Sequence, residues 1–150
     1  MPETGIRAKR VKKGAGMRKF DNYCSNLSIL RGAGDEDLSN DFIVSGIIDK
    51  FYVQFELGWK TLKDLLKYEG KAEAKSGSPR EILKSAYTVY GFIDEEVWLS
   101  MLMERNNTAH IYDEDAALEL VRHILDLYIP AFASMEEGVR ARYGGKLKDL

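Results

Sequence analysis

Apolar residues recur along this chain at intervals of three and four, the spacing that lines them up on one side of an α-helix. Phe20, Tyr23, Leu27 and Leu30 step this way between Met17 and Gly34, which predicts a first helix ended by Gly32 and Gly34. An acidic connector, Asp35 to Asp41, leads into the longest pattern, Val44, Ile48, Phe51, Phe55, Leu62, Leu65 and Leu66, closed by Gly70. As helix, Asp41 to Glu69 spans about 43 Å, a rod that only a bundle uses. Gly58 interrupts that rod at a cost of about 1 kcal/mol, which places it where another backbone comes close.

Ser78, Pro79, Arg80 and Glu81 form a capping box with proline in the first turn, so a third helix starts there and carries Ile82, Leu83, Ala86 and Tyr90 as far as Gly91. Asp94 caps a fourth, with Glu95 and Glu96 at the positive end of its dipole. The last helix begins near Asp113 and sets Leu120, Val121, Ile124, Leu127, Tyr128, Ala131 and Met135 on one stripe. Pro130 should kink it near Asp126 without ending it, and the chain should fray beyond Gly138. No stretch alternates as a strand does. The expected fold is all-α, an up-and-down antiparallel helical bundle of four main helices plus a shorter one. Its expected organisation is a basic flexible extension over 1–16, a helical domain over 17–143 and a flexible tail over 144–150.

One stretch departs from this pattern. Between the helical repeats on either side of it, Arg105, Asn106, Asn107, Thr108, His110 and Tyr112 crowd into eight positions. Asparagine and threonine compete with the helical backbone for hydrogen bonds, and aspartate is a favoured cap, so Asn106 to Asp113 reads as the end of one helix and the start of the next. On an unbroken helix Arg105 and His110 would stand roughly 140° apart around the axis, on different faces, whereas Asn106 and His110 would share one. A bend at the junction, or a second copy of the chain, is needed to bring Arg105 and His110 to one cleft.

Composition sets the setting. The chain has 150 residues, 45% hydrophobic and 31% charged, as an ordinary globular domain has. It shows no run of eighteen apolar residues and no signal-peptide core, so a cytoplasmic protein is expected. A single cysteine, Cys24, provides no internal disulfide and no cysteine-built zinc site. The net charge of −2 hides an asymmetry, because residues 1–19 hold seven basic groups against Glu3 and the remainder is −8. An acidic body argues against broad, tight nucleic-acid binding.

No glycine-rich phosphate loop follows a strand, no His-Glu-x-x-His pair occurs, and there are two histidines, so neither a protein-built metal site nor a cofactor is expected. One histidine, one arginine, two asparagines and a tyrosine lack the nucleophile or metal that most hydrolysis needs. RNA carries its own nucleophile, the 2′-hydroxyl, so a histidine that moves its proton and an arginine that steadies charge on phosphorus form a sufficient set. Against this stand structural roles: an ion pair of Arg105 with Glu104, Asp113 or Glu114, a junction-bridging His110, a capping Asn106 and a plugging Tyr112. His123 reads as solvated or partly packed, and Trp59 and Trp98 as core or interface anchors.

The run Arg105-Asn-Asn-Thr-Ala-His110-Ile-Tyr112 resembles the R-x4-H-x-Y signature of HEPN domains, in particular the HepT toxins. Phe55 to Leu66, Ser78 to Tyr87 and Trp98 to Glu114 resemble the group described as nucleotidyltransferase substrate-binding proteins, and the likeness covers roughly residues 17 to 135. The resemblance implies a homodimeric helical bundle whose signature residues face one composite cleft. It implies a metal-independent ribonuclease acting on single-stranded RNA, with Arg105 and His110 catalytic and Asn106 supporting them. It also implies a cognate MNT-type nucleotidyltransferase, such as MntA, as antitoxin that transfers AMP to Tyr112. The alternative is a non-catalytic substrate-binding subunit of a two-component nucleotidyltransferase.

Overall fold

The computed structural model describes residues 14–150, and every regular element among them is helical. Helix α1 spans Ala15–Leu30 and runs on into a 3-10 turn, Arg31–Asp35. Helix α2, Asp41–Tyr68, is the long rod, capped by Asn40, whose side-chain oxygen accepts from the Phe42 amide at 2.9 Å. Helix α3, Pro79–Val89, opens with the full Ser78/Glu81 capping box, and α4, Glu95–Asn106, with the Asp94 cap. A short turn of helix, α5, Ala109–Tyr112, precedes α6, Glu114–His123, a π-helical turn, Ile124–Tyr128, and α7, Ile129–Tyr143.

Helix α2 packs against α1, α3 and α6, so its apolar face is the centre of the core. Phe51 stacks on Tyr128 at 5.2 Å between ring centroids, and Trp98 meets Phe132 edge-on at 5.5 Å. All four rings are fully buried. Helix α1 is tied in through polar groups as well. The Tyr23 hydroxyl donates to the Phe132 carbonyl at 2.7 Å, and the buried Gln54 amide donates to the Tyr23 carbonyl at 2.9 Å.

Three expectations need correction. What crowds Gly58 is not a backbone: a methyl there would stand 2.9 Å from the Trp98 indole and 3.2 Å from the Tyr23 ring, so the glycine makes room for two aromatic side chains. Pro130 does not end the helix: a π-turn that includes Asp126 lies just before it, with the Ile129 amide bonded back to the Ile124 carbonyl. The extra residue of that turn rotates the buried face, leaving Leu127 49% exposed and burying Phe132. The chain does not fray beyond Gly138, because Val139, Tyr143 and Leu147 continue the apolar row at intervals of four and are all buried. Residues 144–149 close as a 3-10 turn.

The expected N-terminal extension lies mainly outside the described residues, although Ala15 and Gly16 already belong to α1. Among the described residues no helix is long and apolar enough to cross a membrane.

Candidate functional site

The polar stretch does break the helix, and twice. Helix α4 ends at Asn106, and the Asn107 side chain then accepts from the Ala109 amide at 3.0 Å, turning the chain into α5. Asp113 stops α5 and caps α6 by accepting from the Asp115 and Ala116 amides at 2.9 and 3.2 Å. Asn107, not Asn106, therefore performs the local capping. Asn106 is left exposed at the end of α4.

The two bends bring Arg105 and His110 to one face of α2. The Arg105 guanidinium pairs with Oε1 of Glu56, and the His110 ring meets the Tyr52 hydroxyl at 3.2 Å from Nε2 and 3.4 Å from Nδ1. Tyr52 and Glu56 are four residues apart, so they share a face one turn apart, about 6 Å along the axis. Helix α2 thus serves as a ruler that sets the spacing of the two signature side chains. None of the acidic residues proposed from sequence as a partner for Arg105 pairs with it.

Glu56 is a well-occupied carboxylate. Its second oxygen accepts from the Trp59 indole N–H at 2.8 Å, with the Lys60 ammonium at 3.8 Å. Trp59 therefore serves as a brace for Glu56 as well as packing on the core. The Arg105 and Glu56 side chains keep 32% and 29% of their surface in solvent, so the guanidinium is held but reachable. Burial pushes the Tyr52 phenol above its usual value, with the Glu104 and Asp49 carboxylates adding to the effect. The hydroxyl therefore keeps its proton at neutral pH, and it can donate to an unprotonated His110 nitrogen or accept from a protonated one.

Tyr112 does not plug the junction; its side chain is 89% exposed. With His110 it lines a cleft of about 470 Å³ between the start of α2 and α6, to which Val44, Ile111 and Leu118 contribute apolar surface. Asp41, Asp113 and Glu114 border the same cleft, which makes it a poor place for a phosphate. Arg105 and Asn106 stand outside it. The structure therefore sets His110 between an acidic recess on the Tyr112 side and the one guanidinium of the stretch on the other.

Sequence reasoning did not find Tyr52 or Glu56 as holders of the site, and it named Glu104 only as a partner for Arg105. His123, expected to be solvated or partly packed, is partly exposed and in addition holds Glu104, with Nδ1 2.7 Å from the carboxylate. The available signal was the spacing of Tyr52 and Glu56 beside the Phe51 and Phe55 stripe. Among the described residues no three His, Cys, Asp or Glu side chains gather as a metal site.

Residues 18–141 match a family model described as nucleotidyltransferase substrate binding protein like. No curated protein matches the chain.

Proposed function

The chain belongs to the nucleotidyltransferase substrate binding protein like family, and from that premise we propose that it is a HepT-type HEPN ribonuclease, the toxin of a pair whose antitoxin is an MNT-type nucleotidyltransferase. The observation that carries the reading is the shared face of α2, which holds Arg105 through Glu56 and His110 through Tyr52 while both stay reachable from solvent. In this reading the helices form an up-and-down antiparallel bundle and two copies pair across that face. Supporting the pairing, Val53, Met103 and Ile111 each lie within two residues of a site residue in sequence and are 48%, 72% and 61% exposed.

The reaction needs only what RNA and these side chains supply. The 2′-oxygen attacks the adjacent phosphorus as His110 takes its proton, and the bond from phosphorus to the 5′-oxygen breaks. The departing oxygen takes a proton from the second copy's imidazole or from water, leaving a 2′,3′-cyclic phosphate and a 5′-hydroxyl. Arg105 steadies the added charge on phosphorus, and Asn106, exposed beside it, donates to a phosphate oxygen. A single strand suits this better than a duplex, because the 2′-hydroxyl must swing in line with the leaving oxygen.

The same reading makes Tyr112 the point of control. Its exposed phenol attacks the α-phosphorus of ATP on the transferase, pyrophosphate leaves, and the phenolic proton passes to a base of the transferase. The attached AMP then sets a negative phosphate two residues from His110.

A second reading, a non-catalytic subunit that binds substrate for the transferase, draws support from charge. Arg105 is already balanced by Glu56, and Asp49 and Glu104 lie near Tyr52. The test separates the two. Purified protein without its partner is expected to cleave single-stranded RNA in EDTA, leaving 2′,3′-cyclic ends, and His110→Ala or Arg105→Ala to abolish cleavage. Equal turnover by wild type and His110→Ala would leave the second reading. Co-expression with the cognate transferase is expected to add AMP mass to the Tyr112 peptide; a label retained in Tyr112→Phe would remove that assignment.

A further inference from the structure

Glu104 and Arg105 sit side by side in the last turn of α4 and leave it roughly 100° apart. Arg105 reaches α2. Glu104 reaches the other way, where its Oε2 lies 2.7 Å from His123 Nδ1, at the end of α6, and 3.5 Å from the Tyr128 hydroxyl, at the end of the π-turn. A carboxylate only accepts, so Nδ1 carries the proton in this contact. The Tyr128 hydroxyl is also 2.7 Å from Ser100 Oγ, one helical turn back along α4. Burial raises the Tyr128 phenol, which keeps it a donor. His123 Nε2 faces Glu119 at 3.3 Å, and Arg122 shares that carboxylate at 2.8 Å.

This arrangement has work to do. The chain breaks at Asn107, so nothing beyond holds the last turn of α4, and helix ends fray. Met103 is 72% exposed and Asn106 is exposed, so neither packs the turn down. Glu104 and Arg105 are its two anchors, and they pull toward different elements. The π-turn places Tyr128 on the same side as His123, so the turn before Pro130 also builds the seat for Glu104.

We propose that His123, through its bond to Glu104, is a positioning residue that pins the last turn of α4 and so fixes where the Arg105 guanidinium stands. The inference rests on the reading of Arg105 as the group that steadies phosphate. His123 itself touches no substrate. Its effect on the reaction passes through Glu104 and the one peptide unit that joins it to Arg105.

The test uses the full chain and two readouts. His123→Leu removes the donor, and His123→Asn restores an N–H close to the Nδ1 position. Hydrogen exchange at amides 103–107 is expected to speed up about tenfold or more in His123→Leu, with α3 and α7 unchanged, and to return within about threefold of wild type in His123→Asn. Turnover of single-stranded RNA should fall about tenfold in kcat with KM nearly constant, because the guanidinium acts in the transition state. Should His123→Leu not fold, Glu104→Gln carries the same expectations with smaller size.

Unchanged exchange at 103–107 would overturn the proposal, as would faster exchange spread over the whole chain, which marks a merely structural histidine. Faster local exchange with unchanged kcat would overturn the link to Arg105. A wild type that cleaves no RNA would remove the ribonuclease reading, and exchange at 103–107 would still decide whether His123 pins the turn.

Discussion

The C-terminal end of α2 and its middle use the same kinds of side chain to opposite effect. At the C-terminal end, the Tyr143 hydroxyl donates to Glu69 at 2.7 Å and meets the Tyr90 hydroxyl at 2.6 Å, while Arg142 lies over the Tyr90 ring at 4.9 Å. Tyr90 and Tyr143 are buried, and desolvation raises both phenols. Near the middle of α2, Tyr52 meets His110 and Glu56 holds Arg105, but Tyr52 stays partly in solvent and Tyr112 stands clear. Both places hold tyrosines, an arginine and a glutamate. The Arg142–Glu69 pair is as open to solvent as the Arg105–Glu56 pair, so the tyrosines make the difference: buried and bonded to each other they make a clasp, and left in solvent they make a site.

That contrast orders the variants by cost to the fold. Trp98→Ala empties the space that Gly58 and Phe132 shape, so a loss of about 3–5 kcal/mol is expected in urea unfolding. Tyr143→Phe leaves Glu69 and Tyr90 short of a partner and should cost about 1–3 kcal/mol with no change in RNA turnover. The clasp also predicts an alkaline weakness. Its phenols hold their protons in the folded state, so above about pH 10 the unfolded chain loses protons that the folded chain retains, and stability falls as pH rises. Urea midpoints measured from about pH 8 to about pH 10.5 should drop, and drop less steeply in Tyr143→Phe.

At the open site the costs reverse. Glu56→Ala breaks a partly exposed ion pair, so less than about 1 kcal/mol should be lost from the fold. A misplaced guanidinium should nevertheless lower kcat about 10- to 100-fold, read by steady-state kinetics beside a thermal melt. Smallest of all, Tyr112→Phe should change stability by less than about 0.5 kcal/mol and leave turnover intact while abolishing AMP acceptance, read by mass spectrometry. A clasp variant that lost activity without losing stability, or a site variant that unfolded, would erase the distinction between the two places.

Much of the fold could be read from local chemistry. Ser78, Asp94 and Asp113 announced their helices because a cap is decided within three residues of itself. Gly58 revealed a close approach but not the two rings behind it, since a missing side chain records crowding and not what crowds. Leu127 was misplaced, and Phe132 passed over, because a π-turn adds a residue and every later position slips around the axis. Within the candidate site, Arg105, His110, Asn106 and Tyr112 stood out as a polar run. Their holders did not, because Glu56 lies 49 positions before Arg105 and Tyr52 58 before His110, and no local spacing couples residues so far apart.

The measurement that bears most directly on the account is cleavage of a single-stranded RNA by the purified chain in EDTA, wild type beside His110→Ala, with the fragment ends identified. The account predicts cyclic phosphate ends from the wild type and a loss of about a hundredfold or more in the variant. Fragments appearing at the same rate from both proteins, or none from either, would contradict it.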